Sequence, residues 1–118
     1  NGANIDPSGV RRSVQAPIEI GYAMARRFAA RSEKARANAE MLGLMVNEPH
    51  IAPEELKKLD LPVLVIAGTK DMIRREHTEL IARSLPRAQL VFLKGDHFIA
   101  NREPEAFNRA VSAFLAAP

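Results

Sequence analysis

The sequence predicts an α/β fold built on parallel strands, and three observations between Leu61 and His97 predict it. Val63-Leu64-Val65-Ile66-Ala67 is an unbroken apolar run closed by Gly68, the pattern of a strand buried on both faces. Ile73, His77, Leu80, Ile81 and Leu85 then recur at helical spacing until Pro86 stops the helix. Leu90-Val91-Phe92-Leu93 is a second apolar run, closed by Lys94-Gly95. Two strands joined by one helix form a βαβ unit, which pairs them in parallel through a right-handed crossover. The turns that follow parallel strands emerge on the same edge of the sheet, and here they carry Asp71 and His97. Neighbouring strands lie roughly 4.8 Å apart, so a carboxylate and an imidazole can meet there. That edge is where open α/β sheets bind their ligands.

The remaining elements follow in order. Asn1 to Gly9 is rich in Asn, Gly, Asp, Pro and Ser and reads as loop. Pro17 suits the first turn of a helix running to about Ala30. Its apolar residues (Ile18, Ile20, Tyr22, Met24, Phe28) spread over more than one face, as in a helix sandwiched between partners. Ser32 is placed to cap a second helix reaching Val46, with Ala35, Ala39, Leu42, Met45 and Val46 inward. Asn47-Glu48-Pro49-His50 breaks that helix, and Pro53 opens a short one, EELKKL, which leads to the first strand. Beyond His97 the chain enters a last helix with Pro104 in its first turn and Phe107, Val111, Phe114 and Leu115 on one face. The expected organisation is a helical segment over residues 1–59 and a βαβα segment over residues 60–118. Two strands alone would leave both sheet edges bare, and Val63–Ala67 is too apolar for a solvated edge. The sequence therefore predicts part of a larger sheet.

Composition excludes several chemistries. With 118 residues and no cysteine, disulfides, thiolate catalysis and cysteine-ligated zinc are ruled out for these residues. No apolar run approaches the roughly 18 residues of a membrane span, and no signal-peptide pattern is present. The expectation is a cytoplasmic protein with no membrane partner. The net charge is +3, with seven basic residues between Arg11 and Arg36 against Glu19 and Glu33. Only Tyr22 and Phe28 stand among them to stack bases, so the cluster reads as a solvated helix face and no nucleic acid is expected. Asp71, His77 and His97 have metal-ligand chemistry without the local spacings of a metal site, so neither metal nor cofactor is expected.

An Asp that accepts a hydrogen bond from a His fixes the imidazole tautomer, and the His can then serve as general base for a hydroxyl nucleophile. The plainer alternative is that Asp71 closes a turn as a helix cap while His97 is a satisfied loop histidine. Both residues at strand carboxyl ends favour the first reading. Asp96 adjoins His97, but a neighbour within a turn points elsewhere more often than at the imidazole.

The stretch PVLVIAGTKDMI, followed by HTELIARSLPRAQLVFLKGDHFIANREPEAFNRAVSAFL, resembles the C-terminal part of the α/β-hydrolase superfamily. Gly68-Thr69-Lys70-Asp71 matches the Gly-x-x-Asp turn after the penultimate strand, and Gly95-Asp96-His97 matches the Gly-x-His turn after the last. Pro104-Glu105 and Phe114-Leu115 match the closing helix. The resemblance covers about Leu61 to Leu115. It implies two C-terminal strands of a doubly wound parallel sheet, with residues 1–59 where the family carries lid or cap helices. It implies Asp71 as triad acid, His97 as triad base, and hydrolysis of an ester or other acyl bond of a small molecule. By the same resemblance His50 lies where the family overhangs its substrate pocket, which makes it a candidate substrate-binding residue.

One departure decides the expectation for this chain. No Gly-x-Ser-x-Gly elbow occurs, and Ser8, Ser13, Ser32, Ser84 and Ser112 all lack those glycines. The oxyanion donors of the family also come from segments upstream of these. The expectation is the C-terminal portion of a serine hydrolase, inactive alone, completed by a missing N-terminal half or self-associating through its bare strand edges. Haloperoxidase-like and dehalogenase-like relatives share this pattern, which leaves the reaction class open. The alternative is a non-catalytic βαβ interaction module. The hydrolase reading predicts a hydrogen bond between Asp71 and His97, and the module predicts none.

Overall fold

The computed structural model describes residues 7–47 and 50–117. Residues 1–6 of the loop expected over Asn1 to Gly9, and Glu48-Pro49 of the helix break expected over Asn47 to His50, lie outside them. The chain divides into two compact units, Asn1–Ile51 and Ala52–Pro118.

The first unit is a helical pair. A 3-10 turn, Pro7–Gly9, precedes helix α1, Arg12–Phe28. A second 3-10 turn, Ala29–Arg31, leads to helix α2, Glu33–Asn47. Helix α1 begins five residues before Pro17, so the proline sits inside the helix rather than opening it. Arg11, extended at φ −61° and ψ 133°, starts the helix, and its carbonyl accepts the Val14 and Gln15 N–H groups. Pro17 removes one backbone bond from the second turn. A side-chain bond from Gln15 Nε2 to Glu19 Oε1 at 2.7 Å spans that gap. Ser32 caps α2 as its sequence position predicts, its Oγ accepting the Ala35 N–H at 3.1 Å. The helices meet where Tyr22 lies over Gly43. A Cβ at Gly43 would stand 3.2 Å from the Tyr22 ring, and Asn47 Nδ2 donates to the Tyr22 hydroxyl at 2.9 Å. Ala39 is buried, whereas Met45 is exposed, contrary to the inward position expected for it.

The second unit comprises helix α3 (Pro53–Leu56), strand β1 (Val63–Gly68), helix α4 (Arg75–Ser84), strand β2 (Ala88–Leu93), helix α5 (Ile99–Arg102) and helix α6 (Pro104–Ala116). β1 and β2 pair in parallel, in a register that runs from Val63 opposite Ala88 to Gly68 opposite Leu93. Helix α3 packs on α4. Helix α4 packs on both strands, with His77, Thr78 and Ser84 buried and Ile73 and Leu85 buried at its ends. The Arg75 guanidinium rests 4.0 Å from the Phe92 ring centroid.

Burial corrects two expectations. The apolar run of β1 is not buried on both faces: Val63 to Ile66 are half-buried, and only Ala67 and Gly68 are enclosed. A strand is enclosed by neighbours on both edges, and β1 has β2 alone among the described residues. On α6, Phe107, Val111 and Phe114 are half-buried, but Leu115 is 74% exposed and points away. The segment after His97 also forms a helical turn of its own, α5, which encloses Ile99.

Ile99, 5% exposed, anchors the segment that follows His97. Ile99→Ala is expected to lower unfolding free energy by about 2–3 kcal/mol, read from urea denaturation of the second unit. An unchanged midpoint would show that Ile99 does not hold this turn.

Candidate functional site at the carboxyl edge of the sheet

The two turns that leave β1 and β2 are stitched to each other by backbone bonds. The Thr69 N–H donates to the Leu93 carbonyl at 2.8 Å, and the Lys70 N–H to the Gly95 carbonyl at 2.8 Å. The Gly95 N–H reaches back to Thr69 Oγ1 at 3.4 Å. This approach requires glycine at the end of β1. A Cβ on Gly68 would overlap the carbonyl oxygens of Gly95 and Asp96, which are backbone atoms with no rotamer to yield. Gly95 has φ +146°, a conformation open to glycine, and a Cβ there would press to 2.8 Å from Ile99 Cγ2.

These turns bring Asp71 and His97 together. Asp71 is 8% exposed, and its Oδ1 accepts the Ile73 N–H at 2.9 Å, an Asx turn that leads into α4. The same oxygen lies 2.9 Å from His97 Nδ1. The His97 side chain is 40% exposed, so one nitrogen faces a buried carboxylate while the ring remains accessible. An imidazole that donates from Nδ1 carries its lone pair on Nε2, the arrangement that can accept a proton from a hydroxyl. The hydrogen bond expected between these residues is therefore present.

The other candidates are placed differently. His50 is exposed and belongs to the first unit, whereas Asp71 and His97 belong to the second. His77 is buried on α4. Among the described residues, no group of three or more His, Asp or Glu is placed to hold a metal ion. Ser84 is buried and donates its hydroxyl to the Leu80 carbonyl at 2.8 Å. Ser32 serves as a helix cap, and Ser112 is exposed on α6. Two contributors to the site escape periodicity altogether, Thr69 and the Asp96–Arg102 ion pair. Only the Gly-x-x-Asp and Gly-x-His spacings point toward them.

No family model matches the sequence, and no curated protein matches it. Solved structures do. A hydrolase from Pseudomonas aeruginosa PA01 matches with a TM-score of 0.60 and 33% identity, over 70% of this chain and 31% of its own. The enol-lactonase from Burkholderia xenovorans LB400 matches with a TM-score of 0.53 and 22% identity, over 90% of this chain and 49% of its own. Both are members of the α/β-hydrolase superfamily. This chain has the fold of part of an α/β-hydrolase. It spans 31% and 49% of the lengths of these two neighbours. Within the α/β-hydrolase fold, β1 and β2 are adjacent parallel strands, and their carboxyl ends carry an acid and an imidazole in the chain order Asp…His.

Proposed function

We propose that this chain is the C-terminal portion of a serine hydrolase, supplying the acid and the base of its triad. The observation that carries this reading is the 2.9 Å contact between His97 Nδ1 and a buried Asp71 carboxylate at the ligand edge of a parallel sheet. The similarity to a hydrolase at 33% identity supports it.

In the proposed reaction Asp71 holds the Nδ1–H tautomer, and His97 Nε2 accepts the proton of a serine hydroxyl outside these residues. The serine oxygen bonds to the acyl carbon while the carbonyl electrons move to oxygen. Collapse of that intermediate breaks the bond to the leaving group, which takes the proton from the imidazolium. Water then repeats the sequence, with His97 again taking and returning a proton, and releases the acid. The substrate is an ester or a similar acyl compound of small size. Under the same proposal residues 1–59 correspond to the family's lid segment, and His50 is a candidate substrate-binding residue. The half-buried strands would be enclosed by the remainder of a larger sheet or by a second copy of this one. No helix among the described residues is long and apolar enough to cross a membrane. A cytoplasmic setting is part of the same proposal. An interaction module would not require the Asp71–His97 contact, which is why the hydrolase reading is preferred.

Hydrolysis of p-nitrophenyl acetate tests this reading. The 118-residue chain alone is expected to give no fluorophosphonate-sensitive turnover, and joining it to a segment that bears the nucleophile is expected to produce it. Fluorophosphonate-sensitive turnover by the chain alone would overturn the assignment.

A further inference from the structure

Two aspartates neighbour His97, Asp71 in space and Asp96 in sequence, and the contact shown is with Asp71. Asp71 comes from the turn after β1, while Asp96 directly precedes His97 in the chain. Asp96 is instead occupied at both oxygens. Its Oδ1 accepts the Phe98 N–H at 2.9 Å, a bond that spans His97, and its Oδ2 is paired with the Arg102 guanidinium. The Arg102 guanidinium also lies 5.5 Å from the Phe98 ring centroid. Phe98 in turn meets the His97 imidazole in a T-shaped contact, with centroids 5.7 Å apart and planes at 84°. The Asp96, Phe98 and Arg102 side chains thus close a loop around the residue that turns toward Asp71.

We propose that Arg102 is a positioning residue that sequesters the Asp96 carboxylate, leaving Asp71 as the single carboxylate partner of His97. This rests on the reading of His97 as a base oriented by Asp71. An imidazole N–H donates to the strongest acceptor within reach, and an ionised carboxylate with an open lone pair is such an acceptor. With Arg102 removed, Asp96 Oδ2 would lose its cation while remaining beside the imidazole in the chain. The Arg102 and Asp96 side chains are 66% and 33% exposed, so the ion pair adds little to stability. Its effect is on which carboxylate the imidazole faces: an N–H held on buried Asp71 is shielded from water, whereas one turned to the more exposed Asp96 exchanges with it.

The test is the His97 ring N–H resonance in 15N-labelled 118-residue chain. The wild type is expected to show one slowly exchanging Nδ1–H signal, abolished by D71A, which removes the accepting oxygen. R102M is expected to lose that signal, and R102K, which keeps the cation, to retain it. Removing the competitor as well, in D96N/R102M, is expected to restore it, and D96N alone should keep it. Restoration distinguishes sequestration from a merely structural latch, which a second deletion would not repair. A full signal in R102M, no recovery in the double variant, loss in folded D96N, or survival of the signal in D71A would each overturn the proposal. The readout is independent of turnover. An inactive completed hydrolase would sink the functional reading and leave these signals to be judged by themselves.

Discussion

Replacing His97 with Ala in the completed hydrolase is expected to lower kcat by about 10⁴- to 10⁶-fold. The substitution removes the group that accepts the serine proton and the group that protonates the leaving atom, since both are Nε2 of one ring. Binding should change much less, because substrate contacts lie elsewhere, so KM is expected to stay within about tenfold. Asp71→Asn gives a sharper version of the test. Its Oδ1 can still accept the Ile73 N–H, which keeps the turn into α4. That same oxygen faces His97 Nδ1, so the amide keeps the contact but not the negative charge that stabilises the imidazolium formed on proton transfer. A kcat loss of about 10⁴-fold with native stability is expected. Steady-state kinetics on both variants, with unfolding curves alongside, check this. Activity within about tenfold of wild type for either variant would assign the base elsewhere.

Gly68→Ala is expected to have the largest effect on stability. Its Cβ would meet two carbonyl oxygens of the backbone, so relief requires the turn carrying His97 to move away from β1. Such overpacking is expected to cost about 3 kcal/mol. For a unit of this size that corresponds to a fall in melting temperature of about 12–24 °C. The displacement should also lengthen the Asp71–His97 contact, so loss of the Nδ1–H signal should accompany the thermal shift. Calorimetry of the 118-residue chain reads the first effect and the nitrogen spectrum the second. An unchanged melting temperature together with an intact Nδ1–H signal would show that the turns tolerate separation.

The parts of this fold that were legible in the sequence are those set by local pattern. The β1–α4–β2 unit announces itself because the apolar runs end at glycines and Pro86 stops the intervening helix. The Asp71–His97 pair follows from topology, since parallel strands deliver their turns to one edge. Pro17 misleads because proline favours helix starts, yet the backbone here tolerates it in the second turn. The half-burial of Val63 to Ile66 was not legible from apolarity alone, because enclosure depends on which strands lie alongside. Leu115 shares the apolar character of Phe114 but falls at the margin of the α6 stripe, where one residue of helical rotation turns it to solvent. The Asp96–Arg102 pair spans six residues, from the turn that carries His97 to the end of α5, a separation no helical or strand period marks.

The central claim is that His97 activates a serine lying outside these 118 residues. Fluorophosphonate labelling of the complete polypeptide, followed by mass mapping of the adduct, tests it most directly. The account predicts one labelled serine beyond Asn1–Pro118 and loss of that labelling in His97→Ala. An adduct on Ser8, Ser13, Ser32, Ser84 or Ser112, or labelling that His97→Ala leaves unchanged, would contradict it.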